Sequence, residues 1–154
     1  MRLTQSSLTA SGRLSFGLAI VCLVCAVGCG DGKMKRYPIT GTVNVDGKPA
    51  AGVQLLFAPV DGTPEFQRVR PMGLTGEDGK FTLNTFGDGD GVPAGQYKVL
   101  ITWPSKSKGV SRDGVPEMGA DQFKGRYNNL EKSEFTITVD SSTSELPPFE
   151  LKSR

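Results

Sequence analysis

From Tyr37 onward, apolar and polar positions alternate with a period of two, the repeat of a strand that buries one face. Tyr37, Ile39, Val43 and Val45 interleave with Pro38, Thr40, Thr42 and Asn44. Asp46-Gly47 follows, a pair that tolerates positive φ at both central positions of a hairpin turn. Residues 53–60 are more continuously apolar, as a central strand would be, and residues 72–75 form a shorter one interrupted by Gly73. After the turn Glu77-Asp78-Gly79, Phe81, Leu83 and Thr85 alternate with Lys80, Thr82 and Asn84. Tyr97, Val99, Ile101 and Trp103 alternate with Lys98, Leu100 and Thr102, and Phe135, Ile137 and Val139 with Glu134, Thr136, Thr138 and Asp140. Phe149 and Leu151 close the series behind Pro147-Pro148, which suits an edge position. Seven short strands divided by turns predict an all-β protein, a seven-stranded antiparallel β-sandwich over residues 37–151.

The same pattern assigns the remaining positions. Outward strand residues read mostly as Thr, Lys, Asn and Glu, a wet sheet face, while Tyr97 and Trp103 read as core residues with their polar tips at the surface. No stretch carries a helical stripe; the nearest, residues 118–127, would make one turn of helix. That stretch belongs to a loop over residues 104–133, long enough inside a compact domain to suggest function.

The N-terminal segment has a different character. Arg2 and Arg13 precede an apolar run over residues 14–27, shorter than the ~20 residues needed to span a bilayer, so residues 1–28 read as an export signal. Ala26-Val27-Gly28-Cys29 resembles a bacterial lipobox, which would place a diacylglyceryl group on Cys29; ordinary cleavage at the same bond is the alternative. Cys22 and Cys25 read as small apolar members of the signal. Residues 29–36 then form a glycine-rich tether. Gly30 after the cysteine, in place of Asp, supplies no inner-membrane retention signal, so the expected location is the outer membrane.

Three blocks of the body carry a family resemblance. Residues 41–53, with Gly41-Thr42-Val43 and Asp46-Gly47-Lys48-Pro49, residues 77–83, with Asp78-Gly79-Lys80-Phe81, and residues 92–99, with Pro93-Ala94-Gly95-Gln96-Tyr97, resemble the carboxypeptidase-regulatory-like, transthyretin-like domain. The tail, from Lys124-Gly125-Arg126-Tyr127 through Leu146-Pro147-Pro148-Phe149, is similar to small lipoproteins of planctomycete-type bacteria built on that domain. The resemblance implies a transthyretin-like or Ig-like sandwich and no assigned reaction, because one fold hosts many functions.

Composition narrows the chemistry. Arg2 and Arg13 account for the formal charge of +2, which leaves the body neutral and without the basic face that nucleic-acid binding requires. The chain contains no His, which excludes Ser-His-Asp and Cys-His catalysis and His-ligated metals. Enzymes of transthyretin-like fold that hydrolyse purine-pathway compounds depend on His, so that activity does not carry over. All three Cys precede the body, which therefore has no disulfide or thiolate site. Asp88 and Asp90, spaced by glycines, form a calcium candidate that lacks the third acid and the bidentate Glu of a typical calcium loop. No pair of acids stands out for glycoside hydrolysis, and Ser105-Lys106-Ser107-Lys108 reads as an exposed run and not a catalytic dyad.

The expected function is thus a non-catalytic binding or structural module without cofactor, anchored in the envelope and facing an unidentified protein or glycan. Within the long loop, Phe123 and Arg126 are the expected partner contacts and Tyr127 the ring that pins the loop to the sandwich. A carbohydrate-binding module using Phe66, Phe86, Phe123 or Tyr127 is one alternative, and an unrecognised hydrolase another.

Overall fold

The structure, a computed structural model, describes residues 34–106, 109, 114 and 118–153. The expected signal, Cys29, and Ser107 and Lys108 of the Ser/Lys run lie outside the described residues.

The chain forms β1 (Arg36–Tyr37), β2 (Thr40–Val45), β3 (Lys48–Pro49), β4 (Gln54–Pro59), helix α1 (Pro64–Gln67), β5 (Met72–Leu74), β6 (Lys80–Thr82), β7 (Val92–Pro93), β8 (Gly95–Thr102), β9 (Thr136–Val139) and β10 (Phe149–Leu151). One sheet runs β5-β4-β8-β9; a second runs β10-β2-β3 with β6 also on β2; β1 and β7 make a small third. All the expected strands are present, and β4 is interior to its sheet, as its continuous apolar run implies.

Burial follows the alternation. Val43 and Val45 of β2 and Phe81 of β6 face Leu55 and Phe57 of β4 and Tyr97, Val99 and Ile101 of β8 in one core. Tyr97 departs from expectation: its whole side chain is buried, and its hydroxyl donates to the carbonyl of Pro93 instead of reaching solvent. Asp46 and Gly47 adopt φ of 51° and 77°, the two left-handed positions that the β2–β3 hairpin needs. At Gly95 the requirement is space, because any Cβ there would strike the ring of Phe66.

Three local features differ from the sequence reading. Strand β10 pairs with β2 in parallel (Phe149 opposite Val43, Leu151 opposite Val45), whereas the other named strand pairs are antiparallel. The cause is the crossing from β9 in one sheet to β10 in the other. The chain arrives at the Thr40 end of β2, where Leu146 N–H donates to the Thr40 carbonyl at 2.9 Å, and then runs on in the direction of β2. Helix α1 lies between β4 and β5, where the alternation assigned no element, capped by the Thr63 side chain on Phe66 N–H with Pro64 in the first turn. Arg36, assigned to the tether, is instead the first residue of β1, in register with Pro93.

Candidate functional site

The outer face of the β5-β4-β8 region is apolar where a wet face was expected. Met72 stands opposite Leu56, and Leu56 opposite Leu100, so three apolar side chains form one row across three strands. In the next row Leu74 stands opposite Gln54, and Gln54 opposite Thr102. Leu56 and Leu100 are half-buried, but Met72 and Leu74 are 59% and 62% exposed. A groove of about 450 Å³ lies over these rows, with Asn84 and Asn128 also in its wall. No lining residue is charged. A smaller hollow of about 220 Å³ sits along the same strands, between Ala58, Val60, Lys98 and Leu130. The sequence signal for this face was the pair Leu55-Leu56 and the run Val99-Leu100-Ile101, in which consecutive apolar residues must serve both faces of a strand.

The described part of the long loop from residue 118 onward forms a scaffold. Its 121–128 stretch is a series of tight turns instead of one helical turn: Lys124 N–H donates to Asp121, Arg126 to Phe123 and Asn128 to Gly125. The Asp121 carboxylate accepts from the N–H groups of Trp103, Phe123 and Gly125, which fastens the loop to the end of β8. Phe123, expected to meet a partner, is only 4% exposed and belongs to the core. It packs between Trp103 and Tyr127 at centroid distances of 5.5 and 5.1 Å, since an aromatic ring on a fastened loop gains more from burial than from water. Tyr127 pins as expected: its hydroxyl accepts from Lys152 N–H at 3.1 Å and its carbonyl accepts from Ile101 N–H. Arg126 is exposed, its guanidinium 6.0 Å from the Tyr127 ring centroid.

Asp88 and Asp90 do not converge. Asp88 is exposed, while the Asp90 carboxylate accepts from Thr85 N–H at 2.7 Å and Phe86 N–H at 3.0 Å and pairs with Arg36 at 3.3 Å. Burial alone would raise the Asp90 pKa, but the N–H groups of Thr85, Phe86 and Gly87 and the Arg36 charge outweigh it and hold the carboxyl below its ordinary value. Asp90 is therefore occupied in closing its own loop. Among the described residues, no group of three or more acids is placed to hold a metal ion.

Of the aromatics available for glycan stacking, Phe66 and Phe123 are buried and Tyr127 half-buried; Phe86 alone among these four is exposed, at 68%.

No protein-family model matches the chain, and no curated protein matches it. Among solved structures the chain is similar to the major pilin subunit of Bacillus cereus, with 10% identity and a TM-score of 0.42 over 77% of this chain and 30% of that one. It is also similar to a DUF3823 family protein from Parabacteroides merdae, with 14% identity and a TM-score of 0.37 over 78% of this chain and 46% of that one. A candidate carbohydrate-binding protein from Pseudomonas aeruginosa gives 13% identity and a TM-score of 0.37 over 78% of this chain and 90% of that one. The chain spans less than half the length of the first two, and likenesses at this level assign no function.

Proposed function

We propose that the protein is a non-catalytic binding module of a bacterial cell envelope, exported, acylated at Cys29, held at the outer membrane, and making its contacts through the outer face of β4, β5 and β8. The observation that carries this reading is the uncharged row Met72, Leu56 and Leu100, continued by the exposed Leu74. Sheet faces turned to water are polar as a rule, and a contiguous apolar patch marks a place where something docks. The anchor is supported by the lipobox-like sequence at Cys29 and by an apolar stretch too short to span a bilayer. The resemblance to transthyretin-like lipoproteins agrees with the anchor. The glycan-binding alternative is weakened because Phe123, which it counted on, is enclosed in the core.

Intact-mass measurement of protein from its native envelope tests the anchor. Acyl chains on Cys29, and release of a Cys29→Ser variant into the soluble fraction, are the expected results; an unmodified cysteine overturns that part. A photo-crosslinker at Thr102 tests the face, with adducts expected in the intact envelope and lost in a Leu56→Asp, Leu100→Asp double variant. Absence of adducts overturns that part.

A further inference from the structure

The apolar face does not end at β5. The backbone of Met72 exchanges hydrogen bonds with Asn84 at 2.8 and 2.9 Å, so the edge of the face passes directly into the loop that carries Phe86 two residues later. That loop is held from inside: besides the two N–H groups on Asp90, Gly89 N–H donates to the Asn84 side chain at 2.6 Å. Phe86 is thus displayed on a fixed support, with its ring 68% exposed and the Arg36 guanidinium 5.4 Å from its centroid. Arg36 opens β1 and is gripped by Asp90, and Met34 packs against the core, so the N-terminal end of the described body lies two residues from the Arg36–Phe86 contact.

The length of chain beyond that end limits what can cover the corner. Covalent geometry caps the distance from Arg36 to Cys29 at about 25 Å. An acylated Cys29 would therefore hold the Phe86 corner within that reach of the headgroups. It also presents Met72 and Leu74 to the bilayer at high effective concentration, so contacts too weak to bind alone become occupied.

Resting on the lipid-anchor reading above, we propose that the partner of this face is the bilayer that carries the anchor. Phe86 enters its interface, and Met72 and Leu74 follow along the β5 edge. Arg36 lies against Phe86, but Asp90 neutralises it and Asp88 is exposed in the same loop. Apolar insertion, and not attraction to anionic lipid, is what holds the face down.

Acylation consumes the thiol of Cys29 and export removes Cys22 and Cys25, so one introduced cysteine gives a single labelling site. The test uses the full acylated protein in vesicles of phosphatidylethanolamine and phosphatidylglycerol that contain a nitroxide-labelled lipid. An environment-sensitive fluorophore is placed at Phe86→Cys, Met72→Cys or, in β3 beside the far end of β2, Lys48→Cys. Blue-shifted emission and loss of intensity are expected at positions 86 and 72, with the solvent value kept at 48, and raising the salt concentration should leave the pattern unchanged. Acylated, vesicle-bound protein whose probes at 86 and 72 stay at the solvent value overturns the inference and leaves the anchor standing. Crosslinks from 72 to a second copy or to another envelope protein do the same. An unmodified Cys29 removes both.

Discussion

The Tyr97 hydroxyl donates a 2.8 Å hydrogen bond to the carbonyl of Pro93, which lies in the small β1-β7 sheet. It joins the start of β8 to the strand that holds β1, and with Phe57 at 6.1 Å and Phe66 at 5.5 Å it is the centre of an aromatic group.

Removing only the hydroxyl, in Tyr97→Phe, leaves the buried Pro93 carbonyl without its donor and should cost about 1–2 kcal/mol. The pH dependence has a definite sign. Burial raises the phenol above its ordinary value of 10.0, so the folded state binds the proton more tightly than the unfolded one. That stability is present in full below pH 10.0 and is lost as the pH rises beyond it. Urea melts at neutral and strongly alkaline pH should show a steep alkaline loss in the parent and a shallower one in Tyr97→Phe.

Phe123→Ala should cost about 3–5 kcal/mol, and Tyr127→Ala, whose ring is half-buried, about 2 kcal/mol. The chain's single Trp is a built-in reporter, because Trp103 packs on Phe123. Its emission should shift red in Phe123→Ala before global unfolding begins.

Asp90 should make the protein acid-sensitive. Its carboxyl titrates below the ordinary 3.8, so the stability that it contributes is complete above that pH and disappears as the pH falls through the folded-state value. Asp90→Ala should cost about 1–2 kcal/mol at neutral pH and flatten the acid limb of the stability curve, measured by urea melts across the acid range.

Gly95→Ala places a methyl group against the Phe66 ring and should cost about 1–3 kcal/mol. A double variant with Phe66→Leu should recover part of that loss, which thermal melts of the two proteins will measure.

The strands were legible because alternation is a local property: Val43, Val45, Tyr97, Val99 and Ile101 announce their buried face residue by residue. What depends on distant partners was not. The parallel pairing of β10 is set by where a crossing lands, and the burial of Phe123 by Asp121 gripping three N–H groups, neither of which has a periodic signature. Helix α1 escaped because Thr63-Pro64 signals a helix start too brief to show a stripe. The apolar outer face was readable in part, since Leu56 and Leu100 break the alternation, but only the register shows that they stand side by side with Met72.

The seating of β10 on β2 also fixes an order in time. Asn44 bonds to Glu150 across a sequence separation of 106 residues, and Asp46 N–H bonds to the Leu151 carbonyl at 3.0 Å. Until Phe149 and Leu151 arrive, β2 lacks one neighbour and the core is open on that flank. The earliest long strand must therefore wait for the latest, and contacts of such separation make folding slow. A copy cut short before Phe149 would keep most of its strands and never become a finished sandwich.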